Sequence, residues 1–274
     1  MAEIRPSAWG GDQADGLRRL LGNRGPQVVA LASGREACGR TTLLVHTAAA
    51  LATAGHGVVI VDENPAPDNA LSCFGLAARY DLLHALRGER SLRQIMLPAA
   101  PGVVVVPAAR AVGELDRPSE AMRRRLAQGL REIQEGAGFV LIDCASRRGG
   151  HLSALAAAAR HLAVVVAAQG AAITHAYALI KRIARDQGRD NFQIIITRAR
   201  SQEESRAIFG NMRRVAGEHL GVRLDFLGAA LVPVTEHLAE ALVHRLPPTV
   251  DDGGVEPPAG NSSIMPLAVA DSMV

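Results

Sequence analysis

Three kinds of residue are scarce in this sequence of 274 residues: aromatics make up 3%, cysteine occurs three times, and Lys181 is the only lysine. The cysteines form no C-x-x-C pair, which excludes a disulfide framework and predicts free thiols in a reducing cytoplasm. No apolar run approaches the roughly 20 residues of a membrane-spanning helix. We therefore expect a cytoplasmic protein, mildly basic at a net charge of +3, whose positive charge is almost all arginine.

Beyond its first 26 residues, the sequence alternates between short apolar segments and longer amphipathic ones. Uninterrupted apolar runs such as 103–106 and 164–166 are typical of parallel strands that helices cover on both faces. The pattern predicts an α/β fold, a doubly wound, mostly parallel sheet with helices on both faces. Strands are predicted at 27–32, 57–62, 102–107, 138–143, 161–167, 191–197 and 224–231. Helices are predicted at 41–54, 80–86, 91–96, 119–135, 150–159, 173–187, 203–219 and 235–244.

A strand, a glycine-bounded loop and a helix follow one another near residue 30, in the order that frames a phosphate-binding P-loop, G-x-x-x-x-G-K-[ST]. Gly34 and Gly39 bound the loop, and Thr41 and Thr42 lie at the start of the helix, whose amino terminus favours phosphate. The position of the phosphate-clamping lysine holds Arg40, a bulkier and planar cation. The frame predicts a nucleotide site with its key residue changed.

Two of the predicted strands end in a carboxylate, one in Asp62 and the other in Asp143. The carboxyl ends of parallel strands open on the crevice in which nucleotides bind. Together with the Thr41 hydroxyl, these carboxylates could hold Mg²⁺ or its water shell. Strand-end aspartates also serve as structural caps, but two of them beside a P-loop frame favour the metal interpretation. Two cysteines lie nearby, Cys38 and Cys144, and we interpret them as small buried fillers rather than redox groups.

With these residues identified, the chain resembles the MinD/ParA family of P-loop ATPases over residues 27–245, and within it the FlhG/FleN group of regulators of flagellar number and placement. The loop S-G-R-E-A-C-G-R-T-T is similar to the family's S-G-K-G-G-x-G-K-T. The stretch I-T-H-A-Y-A-L-I-K at 173–181 is similar to the group's L-T-D-A-Y-A-L-I-K. The segment D-Q-A-D-G-L-R at 12–18 is similar to the group's activator segment, D-Q-A-x-x-L-R. The resemblance implies ATP and Mg²⁺ as cofactors.

The chain also departs from the family at the nucleotide site. The family's signature lysine is Arg35 here, and the two glycines that follow it are Glu36 and Ala37. The second aspartate of the D-x-D switch, which positions the attacking water and the metal, is Asn64. The asparagine that reads adenine is replaced by Thr197.

These departures predict weakened binding of ATP and Mg²⁺ and little or no ATP hydrolysis, because this chemistry depends on positioning and charge stabilisation. Glu36 would also repel a triphosphate. Asp62 and Asn64 are the candidate catalytic residues, and Asn64 lacks the carboxylate that the family has at its position. One alternative stays open: an active ATPase in which arginines replace the lysines and which cycles as a homodimer.

The resemblance implies a partner for the amino-terminal segment, namely FlhF, a GTPase of the signal-recognition-particle type at the cell pole. Asp12 would cap the short helix, and Gln13 would help to order the catalytic site of the GTPase. Leu17 and Arg18 would anchor the helix. The resemblance further implies recruitment to the pole, and a flagellar transcriptional activator as a second partner.

Composition then divides the chain into three parts. Residues 1–25 form an arm with the activator-like helix, and residues 26–246 form the MinD/ParA-like P-loop domain. Residues 247–274 begin as a proline- and glycine-rich linker, predicted to be disordered, and end in a weakly apolar tail. The tail has no basic residue, so we do not expect it to bind a membrane.

A second alternative is a ParA-like protein that coats DNA through a basic surface. Solvated helix faces explain the same arginines more simply, and we do not expect DNA binding. The histidines show no metal-ligand spacing, so a zinc site is not expected either. The arginines of the candidate surface are Arg123, Arg124, Arg125, Arg182, Arg185, Arg198, Arg200, Arg213 and Arg214.

Overall fold

The computed structural model describes residues 26–231 apart from positions 36, 117, 135, 146, 148 and 149. The strands are β1 (Gln27–Ser33), β2 (Val58–Asp62), β3 (Leu97–Ala100), β4 (Val103–Pro107), β5 (Phe139–Asp143), β6 (His161–Ala167), β7 (Asn191–Ala199) and β8 (Arg223–Leu231). The helices are α1 (Arg40–Thr53), α2 (Ala70–Cys73), α3 (Leu82–Arg87), α4 (Leu92–Ile95), α5 (Glu120–Gln134), α6 (Ala154–Ala158), α7 (Gly170–Gln187) and α8 (Gln202–Leu220), with a 3₁₀ turn at Glu114–Asp116.

The strands form a single sheet in the order β3-β4-β2-β5-β1-β6-β7-β8. All neighbouring pairs are parallel except β3 with β4, which is antiparallel. The order runs outward from β1 in both directions, which confirms the predicted doubly wound α/β fold. In the pairing of β2 with β5, Asp62 lies opposite Asp143, so the two strand-end carboxylates are direct neighbours.

Helices cover both faces of the sheet because successive residues of each strand point to opposite sides. On one face, Val28 and Ala30 of β1 pack in a core with residues of α3 to α8. On the other face, Val29 and Leu31 pack with α1. Helices α1 and α7 therefore lie mainly on opposite faces of the sheet.

One predicted helix needs correction, and two short elements were not predicted. The predicted helix at 150–159 is wrong in its first four residues: α6 begins at Ala154 because the Ser153 hydroxyl accepts the Ala156 N–H as its cap, and Gly150 is left-handed at φ 69°. The edge strand β3 was not predicted, because its sequence L-P-A-A has a proline and no β-branched residue. The short helix α2 was not predicted either. The predicted helix at 235–244 lies outside the described residues.

The end of β1 and helix α7 meet at a very close contact. A Cβ added to Gly34 would lie 2.3 Å from the backbone carbon of His175 and 2.6 Å from the amide nitrogen of Ala176. Only glycine leaves room for this approach. The first glycine of the phosphate loop is thus fixed against the backbone of α7.

A buried hydrogen bond joins the end of β2 to α6. The Ser153 hydroxyl, which caps α6, donates to Oε1 of Glu63 at 2.5 Å. Glu63 is fully buried, and its Oε2 has no hydrogen-bond partner in the described part of the chain. Burial raises the pKa of the Glu63 carboxyl to about 7, against the lowering effect of the Ser153 and Ala145 hydrogen bonds.

Two of the cysteines, Cys38 and Cys144, are buried, as expected for fillers, whereas Cys73 is exposed. Lys181 is exposed on α7. Within the described residues, none of the helices has the length and apolar character needed to cross a membrane.

The Gly34 contact generates a stability prediction. Gly34→Ala should lower the free energy of unfolding by about 1–3 kcal/mol, because the added methyl group meets backbone atoms that cannot give way cheaply. Gly210→Ala is the control, since an added Cβ there meets no described atom within 4 Å and alanine favours the α8 helix. Urea unfolding followed by circular dichroism measures both, and equal stabilities of the two variants would contradict the close contact.

The buried Glu63 predicts a dependence of stability on pH. Its carboxyl keeps a proton up to about pH 7 in the folded state but loses it near pH 4.5, its ordinary pKa, when unfolded. The folded state therefore binds more protons in this window, and the Glu63 contribution to the free energy of unfolding should fall as the pH rises from 4.5 to 7. Glu63→Gln should flatten that fall relative to the wild type, and the exposed Glu218→Gln should not. Equal slopes for the wild type and Glu63→Gln would refute the prediction.

Candidate functional site

The phosphate loop joins the end of β1 to the start of α1. Gly39 adopts the left-handed conformation at φ 80° just before α1, and Ala37 does the same at φ 56°. For a residue with a Cβ this conformation costs roughly 1–2 kcal/mol. The family's phosphate-loop motif has a glycine at the position of Ala37. Ala37 therefore adopts a backbone conformation that glycine would adopt without this cost.

Arg40 turns inward and pairs with Asp143. Its Nε donates to Oδ1 of Asp143 at 2.5 Å, and its Nη1 donates to the Ser33 hydroxyl at 3.3 Å. Arg40 is 7% exposed and Asp143 is not exposed at all. Burial lowers the Arg40 pKa, but the Asp143 carboxylate, together with Cys144 and Cys38, raises it by more, so that this pKa lies above its ordinary value. The guanidinium at the clamp position therefore neutralises a buried carboxylate of the same chain.

The second oxygen of Asp143 is also occupied. The Thr41 hydroxyl donates to Oδ2 of Asp143 at 2.7 Å and itself accepts Nδ2 of Asn64 at 3.2 Å. The start of α1, the end of β5 and the end of β2 are thereby connected side chain to side chain. Asn64 thus replaces a switch carboxylate with an amide that donates into this network.

Asp62 lies beside this network, 1% exposed. Its Oδ1 accepts the Asn64 N–H at 3.1 Å and its Oδ2 accepts the Leu71 N–H at 3.1 Å. Burial raises the pKa of the Asp62 carboxyl to about 6, the backbone hydrogen bonds lower it, and the neighbouring Asp143 raises it. The Asp62 carboxylate thus accepts backbone N–H groups that follow its own strand. With a pKa of about 6, its charge changes close to neutral pH.

These residues bear directly on the predicted Mg²⁺ site. The sequence places Thr41, Asp62 and Asp143 together correctly, but the Arg40 guanidinium already stands against Asp143. A divalent cation would have to displace this buried cation, because the two cannot share one carboxylate face at such short range. The side chains as arranged do not fit Mg²⁺. Elsewhere too, the described residues contain no group of three His, Cys, Asp or Glu side chains that could hold a metal ion.

The remaining predicted nucleotide residues are spread around the loop. Thr197 is buried, and its hydroxyl donates to the Cys38 carbonyl at 2.9 Å, so it fastens the loop to β7. Arg35 and Thr42 are exposed, and Gly34 lies under α7. The predicted partner residues Asp12, Gln13, Leu17 and Arg18 lie outside the described residues.

The sequence did not single out the α7 side of the loop. A cavity of about 420 Å³ opens there between the end of β1, the segment from β5 to α6, and α7. Its walls include Arg147, His175 and Arg182, none of which was assigned to the site. His175 and Arg182 are seven residues apart, two helical turns on one face of α7, which is the signal that could have found them.

Comparison with known proteins agrees with this architecture. The sequence profile of the AAA domain family matches residues 26–196. The antiactivator FleN of Pseudomonas aeruginosa is 30% identical over 225 residues, which cover 82% of this chain and 80% of FleN. The flagellum site-determining protein YlxH of Helicobacter pylori is 25% identical over 231 residues, which cover 80% of this chain and 77% of YlxH.

Among solved structures, the MinD cell division protein of Aquifex aeolicus superposes with a TM-score of 0.55 at 18% identity, covering 78% of this chain and 85% of MinD. That similarity concerns the fold alone. The match to the AAA domain profile and to FleN extends over most of the sequence. The chain therefore belongs to the MinD/ParA family of AAA-domain P-loop ATPases, in the group that contains FleN.

Proposed function

We propose that this protein regulates flagellar number or placement by binding and stimulating a GTPase of the signal-recognition-particle type, with little or no ATP hydrolysis of its own. The flagellar role is supported by the relatives FleN, an antiactivator, and YlxH, a flagellum site-determining protein. The loss of hydrolysis rests chiefly on one observation, the buried pair of Arg40 with Asp143.

The pair supports weak ATP turnover for two reasons. First, Arg40 stands at the position of the clamping lysine, but its charge is paired with Asp143 at 2.5 Å rather than directed at the phosphates. Secondly, Asp143 is then not available to Mg²⁺, and in this class the metal neutralises much of the charge that develops on the transferred phosphoryl group. Asn64, an amide, cannot replace the missing switch carboxylate. ATP and Mg²⁺ are in this proposal weakly bound cofactors at most.

The proposed activity resides in the amino-terminal segment, D-Q-A-D-G-L-R. It does not require the phosphate site, because Gln13 would act on the catalytic site of the partner GTPase. Leu17 and Arg18 would hold the helix on the partner, with Asp12 as its cap. Recruitment by the GTPase would bring the protein to the cell pole. A flagellar transcriptional activator and a second copy of the chain are further proposed partners.

The surface arginines fit a solvated surface better than a DNA-binding one. Arg124 pairs with Glu120, and Arg185 with Asp186, on exposed helix faces. Arg214 likewise pairs with Glu218 on α8. Because these charges are partly neutralised by neighbours, we propose that the protein does not coat DNA.

The ATP part of the proposal predicts a gain of function. Calorimetric titration with ATP and Mg²⁺ should detect weak or no binding by the wild type. The double variant Arg40→Lys/Glu36→Gly should bind at least about tenfold more tightly, because a compact ammonium frees Asp143 and a negative charge is removed. Arg206→Lys on the exposed face of α8 makes the same chemical change elsewhere and should have no effect. Micromolar wild-type binding, with Mg²⁺-dependent turnover that Asp62→Ala abolishes, would instead establish the active ATPase.

The GTPase part predicts a rate effect. The full-length protein should accelerate GTP hydrolysis by the flagellar GTPase of the same organism. Gln13→Ala should reduce the acceleration by about tenfold or more, because a residue that orders a catalytic site acts through positioning. Gln128→Ala, an exposed glutamine on α5, is the matched control and should leave it unchanged. Full acceleration by Gln13→Ala would refute the mechanism, as would the absence of any acceleration by the wild type.

A further inference from the structure

A second cavity, of about 310 Å³, lies between α3, α5 and the sheet. Its lining includes Val61 of β2 and Val106 of β4, which are paired in the sheet and are 2% and 1% exposed. It also includes Arg90 and Gln128, which are exposed. The cavity therefore extends from the surface down to the sheet. None of its described lining residues belongs to the candidate nucleotide site.

The body of this cavity is apolar. Besides the two valines, six leucines and one isoleucine line it, and all of them are buried. Protein interiors are close-packed and contain few voids larger than a water molecule, so a space of this size is unusual. An apolar cavity stays dry and accepts apolar ligands. The lining therefore favours a ligand with a hydrocarbon body.

Two small residues on neighbouring helices leave the space open. Ala85 of α3 and Gly129 of α5 both line the cavity. Glycine in the interior of a helix destabilises it relative to alanine. Here a Cβ added to Gly129 would lie 3.2 Å from Cδ2 of Leu92, so glycine lets α4 pack closely on α5. At Ala85, a larger apolar side chain would extend into the cavity.

Arg125 is held at the mouth of the cavity by the end of α3. Its Nη1 donates to the Leu86 carbonyl at 3.0 Å, and a Cβ added to Gly88 would lie 2.8 Å from its Cζ. Gly88 ends α3 in the left-handed conformation at φ 79° and leaves room for the guanidinium. Among the residues that the structure describes, Arg125 has no carboxylate partner, and its Nε and Nη2 donate to none of them.

Arg90 places a second guanidinium at the same mouth. Its Nη2 donates to the Tyr80 hydroxyl at 2.9 Å, and its Cζ lies 4.4 Å from the centroid of the Tyr80 ring. Like Arg125, it has no ion pair within the described part of the chain. Glu132 is the one carboxylate among the described lining residues, and it accepts Nε2 of Gln128 at 3.3 Å. The mouth therefore carries a net positive charge above an apolar body.

We propose that this cavity binds a free medium-chain carboxylic acid, with its hydrocarbon chain in the apolar body and its carboxylate at Arg125 and Arg90. A guanidinium matches a carboxylate in two parallel hydrogen bonds. The volume lies at the lower end of the roughly 300–1,000 Å³ that small-molecule pockets span. A single short chain suits this volume better than the two long chains of a membrane phospholipid.

The apolar body is tested by calorimetric titration of the full-length protein with hexanoate, octanoate and decanoate, each below the concentration at which it forms micelles. The affinity should rise by about fourfold for each added methylene group that still fits, because each one moves from water into the cavity. Ala85→Leu should weaken octanoate binding by about tenfold or more, since the larger side chain takes the place of several methylene groups. Ala49→Leu makes the same change at an exposed position of α1 and should leave the affinity within about twofold.

The charged mouth is tested with a matched pair of arginine variants. Arg125→Gln should weaken octanoate binding by about tenfold, the effect of losing a charge-assisted hydrogen bond. Arg124→Gln removes the same charge from the adjacent position of α5, but this arginine is exposed and pairs with Glu120, so the affinity should change by less than about twofold. 1-Octanol, which has an eight-carbon chain and no charge, should bind more weakly than octanoate and should not respond to Arg125→Gln.

Urea unfolding separates loss of binding from loss of folding. Ala85→Leu should unfold at the wild-type midpoint or above it, because it fills a void. Since Ala85→Leu leaves Arg125 in place, it tests the cavity even where Arg125→Gln lowers the midpoint.

Three results would overturn the proposal. The first is that the wild type binds none of the three acids. The second is octanoate binding that Ala85→Leu leaves unchanged, which would place the chain on the surface. The third is equal weakening by Arg125→Gln and Arg124→Gln, which would mean diffuse attraction to the basic surface. Acceleration of the flagellar GTPase is measured separately, so failure of this site leaves the proposed function untouched.

Discussion

The ion pair between Arg40 and Asp143 is the interaction on which the candidate nucleotide site depends. Both side chains are buried, and the distance between Nε and Oδ1 is 2.5 Å. A buried pair of this kind contributes little net stability compared with an apolar packing, but losing one partner costs about 3–5 kcal/mol because a charge is left buried alone. Separating the two side chains is therefore costly unless a new partner takes the place of the one that is lost.

The buried acids at this edge of the sheet are accommodated in two different ways. Asp62, Glu63 and Asp143 lie at the ends of two neighbouring strands. One guanidinium neutralises Asp143, whereas burial raises the pKa of the Asp62 carboxyl to about 6 and that of Glu63 to about 7. Burial thus favours the protonated, uncharged form of Asp62 and of Glu63 up to these pH values.

Much of this arrangement was predictable from the sequence, because strand position determines where side chains meet. Asp62 and Asp143 each end an apolar strand, and parallel pairing places such ends at one edge. The inward turn of Arg40 was not predictable, since it depends on a partner 103 residues away. The β3 strand was not predicted because it forms by pairing with the neighbouring strand β4, whereas its own sequence L-P-A-A has a low strand propensity. The cavity beside the phosphate loop was not predicted because its lining comes from three separate segments.

The polar groups at the start of α1 are satisfied within the chain. Arg40 and Thr41 each donate a hydrogen bond to Asp143, and Asn64 donates one to the Thr41 hydroxyl. A satisfied polar network resists rearrangement, because existing hydrogen bonds must break before new ones form. The residues that the sequence assigns to the nucleotide site are therefore also the ones that join α1 to the ends of β2 and β5.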